Sequence, residues 1–160
     1  MRDRAGMMQN KGIEFSIEKM DLSHLDRVLA IEKKCFGDPW SRQMFEREIF
    51  SPIARYIVAV DKEGNIYGYA GIITIFDTAE ITNIAVDPNF RGYGIGRALM
   101  KNLLENITKE VDKAYLEVRS SNTPAINLYE KFGFVRVGVR RNYYDNPPED
   151  AILMTKIIKE

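Results

Sequence analysis

Asn83-Ile84-Ala85-Val86-Asp87-Pro88, followed after two residues by Arg91-Gly92-Tyr93-Gly94-Ile95-Gly96-Arg97-Ala98, decides the fold. The first part ends an apolar strand, Asp87-Pro88 stops it, and the glycines lead into a helix. Glycines let a backbone approach a ligand closely and turn its N–H groups inward, and a helix N-terminus adds partial positive charge. The segment therefore reads as a seat for a phosphate or pyrophosphate, with Arg91 and Arg97 able to add charge-assisted bonds. A Walker A loop would need Gly-Lys-Ser/Thr, where this chain has Gly96-Arg97-Ala98. A dinucleotide fingerprint needs G-x-G-x-x-G, and here the spacing is G-x-G-x-G. A tight turn without any ligand stays open on spacing alone.

Working outward, Ala79 to Val86 is a strand with a flaw in its alternation. Ala79 and Ile81 share one face, but the apolar set then moves to Ile84 and Val86. One extra residue, a β-bulge near Thr82-Asn83, produces that slip. Downstream, the helix runs from about Gly94 to Lys109, with Ile95, Leu99, Leu103 and Ile107 as its apolar stripe. Ala114 to Val118 is a short central strand. Thr123-Pro124 opens another helix with threonine at the cap; Ala125, Leu128, Tyr129 and Phe132 face the core, and Gly133 ends it. Phe134 to Arg140 and Ala151 to Ile157 are the last strands, joined by a polar loop from Asn142 to Asp150.

Upstream, Ile13 to Met20 alternates as a first strand. Asp21 caps a helix from Leu22 to about Phe36, with Leu22, Leu25, Val28, Leu29 and Glu32 at helical spacing. Ser41 caps a second helix that ends near Phe50, before Ser51-Pro52. Tyr56 to Val60 and Ile66 to Phe76 form a hairpin around Lys62-Glu63-Gly64-Asn65. The order predicts an α/β domain over residues 13–160, a mixed, mostly antiparallel sheet with helices on both faces. Residues 1–12 are charged and then polar; they are expected to be a disordered tail, or to precede a start at Met7 or Met8.

The 160 residues carry 23 basic and 23 acidic side chains, a formal net charge of zero, which argues against bulk attraction to nucleic acid or an anionic membrane. A lone cysteine, Cys35, leaves no intramolecular disulfide, and a lone histidine, His24, disfavours a histidine metal site or a Ser-His-Asp triad. His24 reads as a surface residue. No apolar run approaches a membrane span, and the start lacks the apolar core of a signal peptide. The expected compartment is the cytoplasm.

At this point the residues resemble a known family. Asn83 to Pro88 and Arg91 to Gly96 are similar to the acetyl-CoA motif Q/R-x-x-G-x-G/A of the GNAT N-acetyltransferases. Leu116-Glu117-Val118-Arg119, Ser121-Asn122, Ala125, Leu128-Tyr129-Glu130 and Gly133-Phe134 follow at the family's spacing. Arg140-Arg141-Asn142-Tyr143-Tyr144, Glu149-Asp150-Ala151 and the early Phe36, Pro39, Trp40 and Ser41 resemble one subgroup. That subgroup is the ribosomal-protein-alanine N-acetyltransferases and the related archaeal N-terminal acetyltransferases. Many of its members have glutamine where this chain has Arg91, and both residues occur in the wider family. The resemblance covers about residues 13 to 158 and implies a GNAT fold with a bulged, splayed central strand.

It also implies a site. Arg91, Gly92, Tyr93, Gly94, Ile95, Gly96 and Arg97 would hold the pyrophosphate of acetyl-CoA. Ile84, Ala85 and Val86 would line the pantetheine, the backbone of Ile84 and Val86 pairing with it as a strand does, and Asn122 would touch the same arm. A neutral amine attacks the thioester. An α-amino group has a pKa near 7.7–8.0, so a base is needed at pH 7. Glu117, a carboxylate on a mostly apolar strand, is the expected base, directly or through one water. An ion pair with Arg119 or an arginine of the last loop is the alternative for it. Tyr129 is the expected acid or hydrogen-bond donor to sulfur, its alternative being a core tyrosine. A backbone N–H near Val86 would serve the oxyanion. Phe36, Trp40, Tyr143 and Tyr144 are expected to contact the acceptor peptide. No metal is required.

The expected activity is acetylation of protein N-terminal α-amino groups, with ribosomal protein S18 as the subgroup's substrate; no nucleic-acid or membrane partner is expected, and the protein is a monomer or homodimer. A lysine side chain, a polyamine or an aminoglycoside is the alternative acceptor. A sensor of acetyl-CoA is disfavoured by the presence of both Glu117 and Tyr129, and a nucleotide-phosphate binder by the loop spacing.

Overall fold

Alternating apolar residues build eight strands among the described residues, 8–10 and 12–159 of this computed structural model. They are β1 Met8–Asn10, β2 Ile13–Lys19, β3 Ala54–Val60, β4 Ile66–Ile75, β5 Thr78–Val86, β6 Lys113–Arg119, β7 Val135–Tyr144 and β8 Glu149–Ile157. The helices are α1 Leu25–Cys35, α2 Arg42–Phe50, α3 Ile95–Glu105 and α4 Thr123–Lys131. One sheet has the order β1-β2-β3-β4-β5-β6-β8-β7, antiparallel throughout except for the parallel pair β5–β6.

The bulge is where the alternation slips. Gly71 lies opposite Asn83 and Ile72 opposite Ile81, so Thr82 is the extra residue on β5. Ala79 and Ile81 before it, and Ile84 and Val86 after it, all pack on the same apolar cluster. β5 and β6 pair only over Thr78–Ile81 and Lys113–Leu116; past that point they separate.

Successive strand residues point to opposite faces, and each face has its own core. On one side Leu25, Val28 and Ile31 of α1 and Phe45 of α2 pack on Tyr56, Val58, Tyr69 and Ala85. On the other, Ile95, Leu99 and Leu103 of α3 and Ile126 and Tyr129 of α4 pack on Phe15, Ile57, Ala70, Ile81 and Leu116. Burying each of the Leu, Ile, Val and Phe side chains among them contributes roughly 1.5–3 kcal/mol.

Several boundaries differ from the sequence reading. Asn122, not Thr123, caps α4: its Oδ1 accepts the Ala125 N–H at 3.3 Å, so Thr123 is already helical. α3 ends at Glu105, four residues before Lys109. Leu22 to His24 form a 3-10 turn ahead of α1. His24 is not a loose surface residue there, since its Nδ1 accepts the Asp21 N–H at 3.0 Å in a reciprocal cap. β7 runs on to Tyr144 and β8 begins at Glu149, so the loop expected from Asn142 to Asp150 is only Asp145 to Pro148. Of the expected tail, Met8–Asn10 pairs with β2; residues 1–7 and 11 lie outside the described residues. Among the described residues no helix is long and apolar enough to cross a membrane.

Candidate active site

The divergence of β5 from β6 opens a cavity of about 370 Å³ through the sheet, within the size range of small-molecule sites. Thr82 to Ile84 form one wall and Leu116 to Arg119 the other, while Tyr129 and Asn122 of α4 and the segment Phe36–Trp40 also line it. Asp87 N–H bonds the Tyr67 carbonyl on β4. By alternation Ala85 also turns its amide toward β4, whereas Ile84 and Val86 turn theirs into the gap. The side chain of Ala85 is buried in the core beneath α1.

Glu117 projects from β6 into this cavity with only 12% of its side chain exposed. Arg140 Nε on β7 stands 2.8 Å from Oε2. Among the described residues no N–H is aligned on that buried oxygen, so the contact is an ion pair without a directed hydrogen bond. Tyr143 O–H donates to Oε1 at 3.4 Å. The ion pair that was the alternative reading of Glu117 is thus present, and it is made by Arg140. Arg119 is engaged elsewhere, with Glu149 at 3.2 Å and under the Tyr144 ring at 4.4 Å.

Tyr129 is 5% exposed and packs edge-on to Phe134 at 6.3 Å. Among the described residues its hydroxyl has no hydrogen-bond partner, and it borders the same cavity as Glu117. Burial, with a smaller contribution from Tyr144, pushes its pKa well above the ordinary tyrosine value. Asn122 lines the cavity too, but its Oδ1 is committed to the cap of α4.

The glycine loop follows β5 after a 3-10 turn at Pro88–Phe90. Gly92 and Gly94 have φ of 84° and 80°, a region open to glycine, and Gly94 is the N-cap of α3. The N–H groups of Ile95, Gly96 and Arg97 open that helix and have no intrahelical acceptor. A methyl on Gly96 would meet only ordinary contacts with Leu128 and Val86, so packing within the chain does not demand glycine there. Tyr93 is half-buried, with its ring 6.4 Å from Phe90. Arg91 reaches Cys35 Sγ at 3.6 Å, and Cys35 in turn points at the Val86 carbonyl at 3.6 Å, which ties the loop to the cavity wall.

Two segments flank the other mouth. The Trp40 ring lies tilted against Phe45 at 5.2 Å, and the Trp40 backbone N–H donates to Glu32 Oε2 at 2.9 Å. Glu32 is 2% exposed and also accepts from the Tyr69 hydroxyl. Sequence reading placed Glu32 on the apolar stripe of α1; a carboxylate at such a position was the signal for this clamp. Phe36 is 37% exposed and Tyr143 49%, whereas Tyr144 is half-buried, with burial pushing its pKa up to about 12. The flanks meet where Asn146 Nδ2 donates to the Gly37 carbonyl at 3.2 Å, and a side chain on Gly37 would fall on the Asn146 carbonyl. Glu32, Gly37, Arg140 and Asn146 were not singled out from the sequence as site residues. Among the described residues no group of three His, Cys, Asp or Glu side chains is placed to hold a metal ion.

Glu149 anchors the β7–β8 flank. It accepts from Ser121 N–H at 2.6 Å, Ser120 O–H at 3.2 Å and Arg119 at 3.2 Å. Led by Ser121, these donors hold its pKa down to about 2 from the ordinary 4.5. A depressed carboxylate pKa stabilises the fold above the ordinary value, and that share is lost as pH falls through the depressed one. The unfolding temperature of the native chain is therefore expected to drop more steeply from pH 4.5 to about 2 than that of Glu149→Gln, read by circular dichroism.

The chain is similar to known proteins in sequence and in fold. Residues 25–134 match the acetyltransferase (GNAT) family. The chain is 36% identical over 143 residues to the ribosomal protein bS18-alanine N-acetyltransferase of Escherichia coli, spanning 87% of this chain and 95% of that one. It is 42% identical over 136 residues to an N-alpha-acetyltransferase of Mycobacterium tuberculosis, spanning 81% and 84%. The crystal structure of the Escherichia coli ribosomal-protein-S18-alanine N-acetyltransferase superposes with a TM-score of 0.82 at 34% identity, over 91% of this chain and 95% of that one.

Proposed function

We propose that this chain, which belongs to the acetyltransferase (GNAT) family, transfers the acetyl group of acetyl-CoA to the α-amino group of a protein N-terminus. The observation that carries the reading is the single cavity in the β5–β6 gap, bordered by both Glu117 and Tyr129. One side leads by way of Cys35 to the glycine loop; the other opens between two aromatic segments. A donor and an acceptor can thus meet from opposite faces of the sheet.

In this reading the free amides of Ile95, Gly96 and Arg97, with Arg91, hold the pyrophosphate, as the N-terminus of a helix holds an anion. The backbone of Ile84 and Val86 holds the pantetheine in place of a ladder partner from β6. Bound acetyl-CoA supplies the activated acetyl group. Glu117 accepts a proton from the incoming amine, and Tyr129 gives its proton to the departing thiolate sulfur. Arg140 keeps the resting Glu117 neutralised, and the positively charged amine competes for the same carboxylate. Phe36, Trp40, Tyr143 and Tyr144 contact the acceptor chain. Because the flanks join at Gly37 and Asn146, the acceptor enters beneath a bridge, which favours a chain end.

The name of the Escherichia coli relative, a ribosomal protein bS18-alanine N-acetyltransferase, supports a ribosomal protein's N-terminal alanine as one acceptor, and the reading takes the cytoplasm as the place of reaction. Acetyl transfer from labelled acetyl-CoA to peptides beginning Ala, Ser or Met, each with an internal lysine, tests the proposal. Label confined to the α-amino group is the expected result. Label on lysine alone moves the chain to another acceptor class, and acetyl-CoA binding without transfer to any peptide points to a small-molecule acceptor or a sensor.

A further inference from the structure

The bulge on β5 turns the Ile84 and Val86 backbone into the gap, yet a bulge is one of two registers open to a strand. Removing the extra residue would reverse the direction of every later amide. The contacts that hold the bulged register come from two strands away.

Tyr56 of β3 lies opposite Gly71 of β4, and Gly71 lies opposite Asn83 of β5, so the three residues form one row across three strands. Neighbouring strands are roughly 4.8 Å apart, so a side chain from β3 reaches β5 only by lying across β4. Gly71 makes that crossing possible, because a Cβ there would fall inside the Tyr56 ring. Beyond Gly71 the Tyr56 hydroxyl donates to Asn83 Oδ1 at 2.6 Å and pairs with Thr82 Oγ1 at 2.7 Å. One hydroxyl thereby engages both residues of the bulge. The ring is 3% exposed and is held between Trp40 and Phe45, each centred 6.3 Å away.

We propose that Tyr56 is a positioning residue for acetyl transfer: its hydroxyl, passed over Gly71, holds the Thr82–Asn83 bulge and so aims the Ile84 backbone at the donor. The inference rests on the reading that the gap takes acetyl-CoA. Burial keeps the phenol in its neutral form, so it serves as donor and acceptor throughout the working pH range. Through Trp40 the same ring touches the acceptor flank, so donor strand and acceptor loop share one support.

Tyr56→Phe deletes the hydroxyl and keeps the ring. In the free protein, amide exchange is expected to speed up at Asn83 to Val86 and to stay unchanged in α3. Acetyl-CoA is expected to bind about tenfold more weakly by calorimetry, the scale of one hydrogen bond. The KM for acceptor peptide at saturating acetyl-CoA stays within about twofold of native. Gly71→Ala, which displaces the ring with its hydroxyl intact, repeats the exchange and acetyl-CoA effects. Native exchange at the bulge with native acetyl-CoA affinity in Tyr56→Phe overturns the proposal, as does exchange that rises evenly across the sheet. Failure of the unmodified protein to bind acetyl-CoA overturns the reading of the gap instead, and the exchange data still decide whether Tyr56 holds the bulge.

Discussion

Glu117→Gln is expected to lower kcat for peptide acetylation by about 10²- to 10⁴-fold, the range general-base catalysis supplies. Glutamine has nearly the same shape, so the Tyr143 contact and the walls of the cavity persist. What it lacks is a site for the amine's proton and a countercharge for Arg140. The uncompensated guanidinium then repels a protonated α-amine, so the KM for peptide rises with the fall in kcat. Acetyl-CoA binding, which the proposed function assigns to the glycine loop and the Ile84 backbone, is expected to match native affinity in calorimetry. Arg140→Ala separates the two roles. If the ion pair were the only purpose of Glu117, removing its partner would cost as much as removing the carboxylate. If Glu117 is the base, the arginine-free chain retains most of its kcat. A fully active Glu117→Gln enzyme rules the residue out as the base.

Tyr129→Phe is the second large effect, a fall in kcat of about 10- to 100-fold with the fold intact. The loss is smaller than for the base because a thiolate is already a good leaving group compared with an alkoxide or an amide anion. Phenylalanine preserves the edge-on contact with Phe134, and the lost hydroxyl bonds no other described residue, so unfolding temperature stays close to native. The pH profile distinguishes an acid from a packing residue. Burial raises the tyrosine pKa, so its proton stays in place across the neutral and mildly alkaline range. Native kcat/KM therefore climbs as the α-amine loses its proton near pH 7.7–8.0 and then levels off. The variant is expected to climb with the same midpoint to a lower plateau. An unchanged plateau makes Tyr129 a core residue only.

Much of this was legible in the sequence because its causes are local. The slip from Ile81 to Ile84 marks a bulge because side chains alternate with period two. Gly92 and Gly94 mark the turn into α3 because both need positive φ. Ser41 caps α2 as expected, since capping is decided within three residues. The cap of α4 was misread by one residue: Asn122 and Thr123 are both able caps, and only the chain path shows which lies outside the helix.

The rest depends on partners brought together by strand order. Glu117 meets Arg140 only because β8 enters the sheet between β6 and β7 and the long arginine crosses back over it. Gly37 meets Asn146 across 109 residues, and Glu32 meets Tyr69 across 37. Gly71 read as an ordinary strand residue until the row Tyr56–Gly71–Asn83 gave its missing side chain a purpose. Periodicity, capping and turn chemistry are interactions between near neighbours, so the sequence by itself determined the elements, the bulge and the glycine loop. The joined flanks of the cavity, the ion pair on Glu117 and the support beneath the bulge are choices among residues far apart in the chain. Only the tertiary structure decided those, because closing each long loop costs entropy that the assembled sheet and both of its cores repay together.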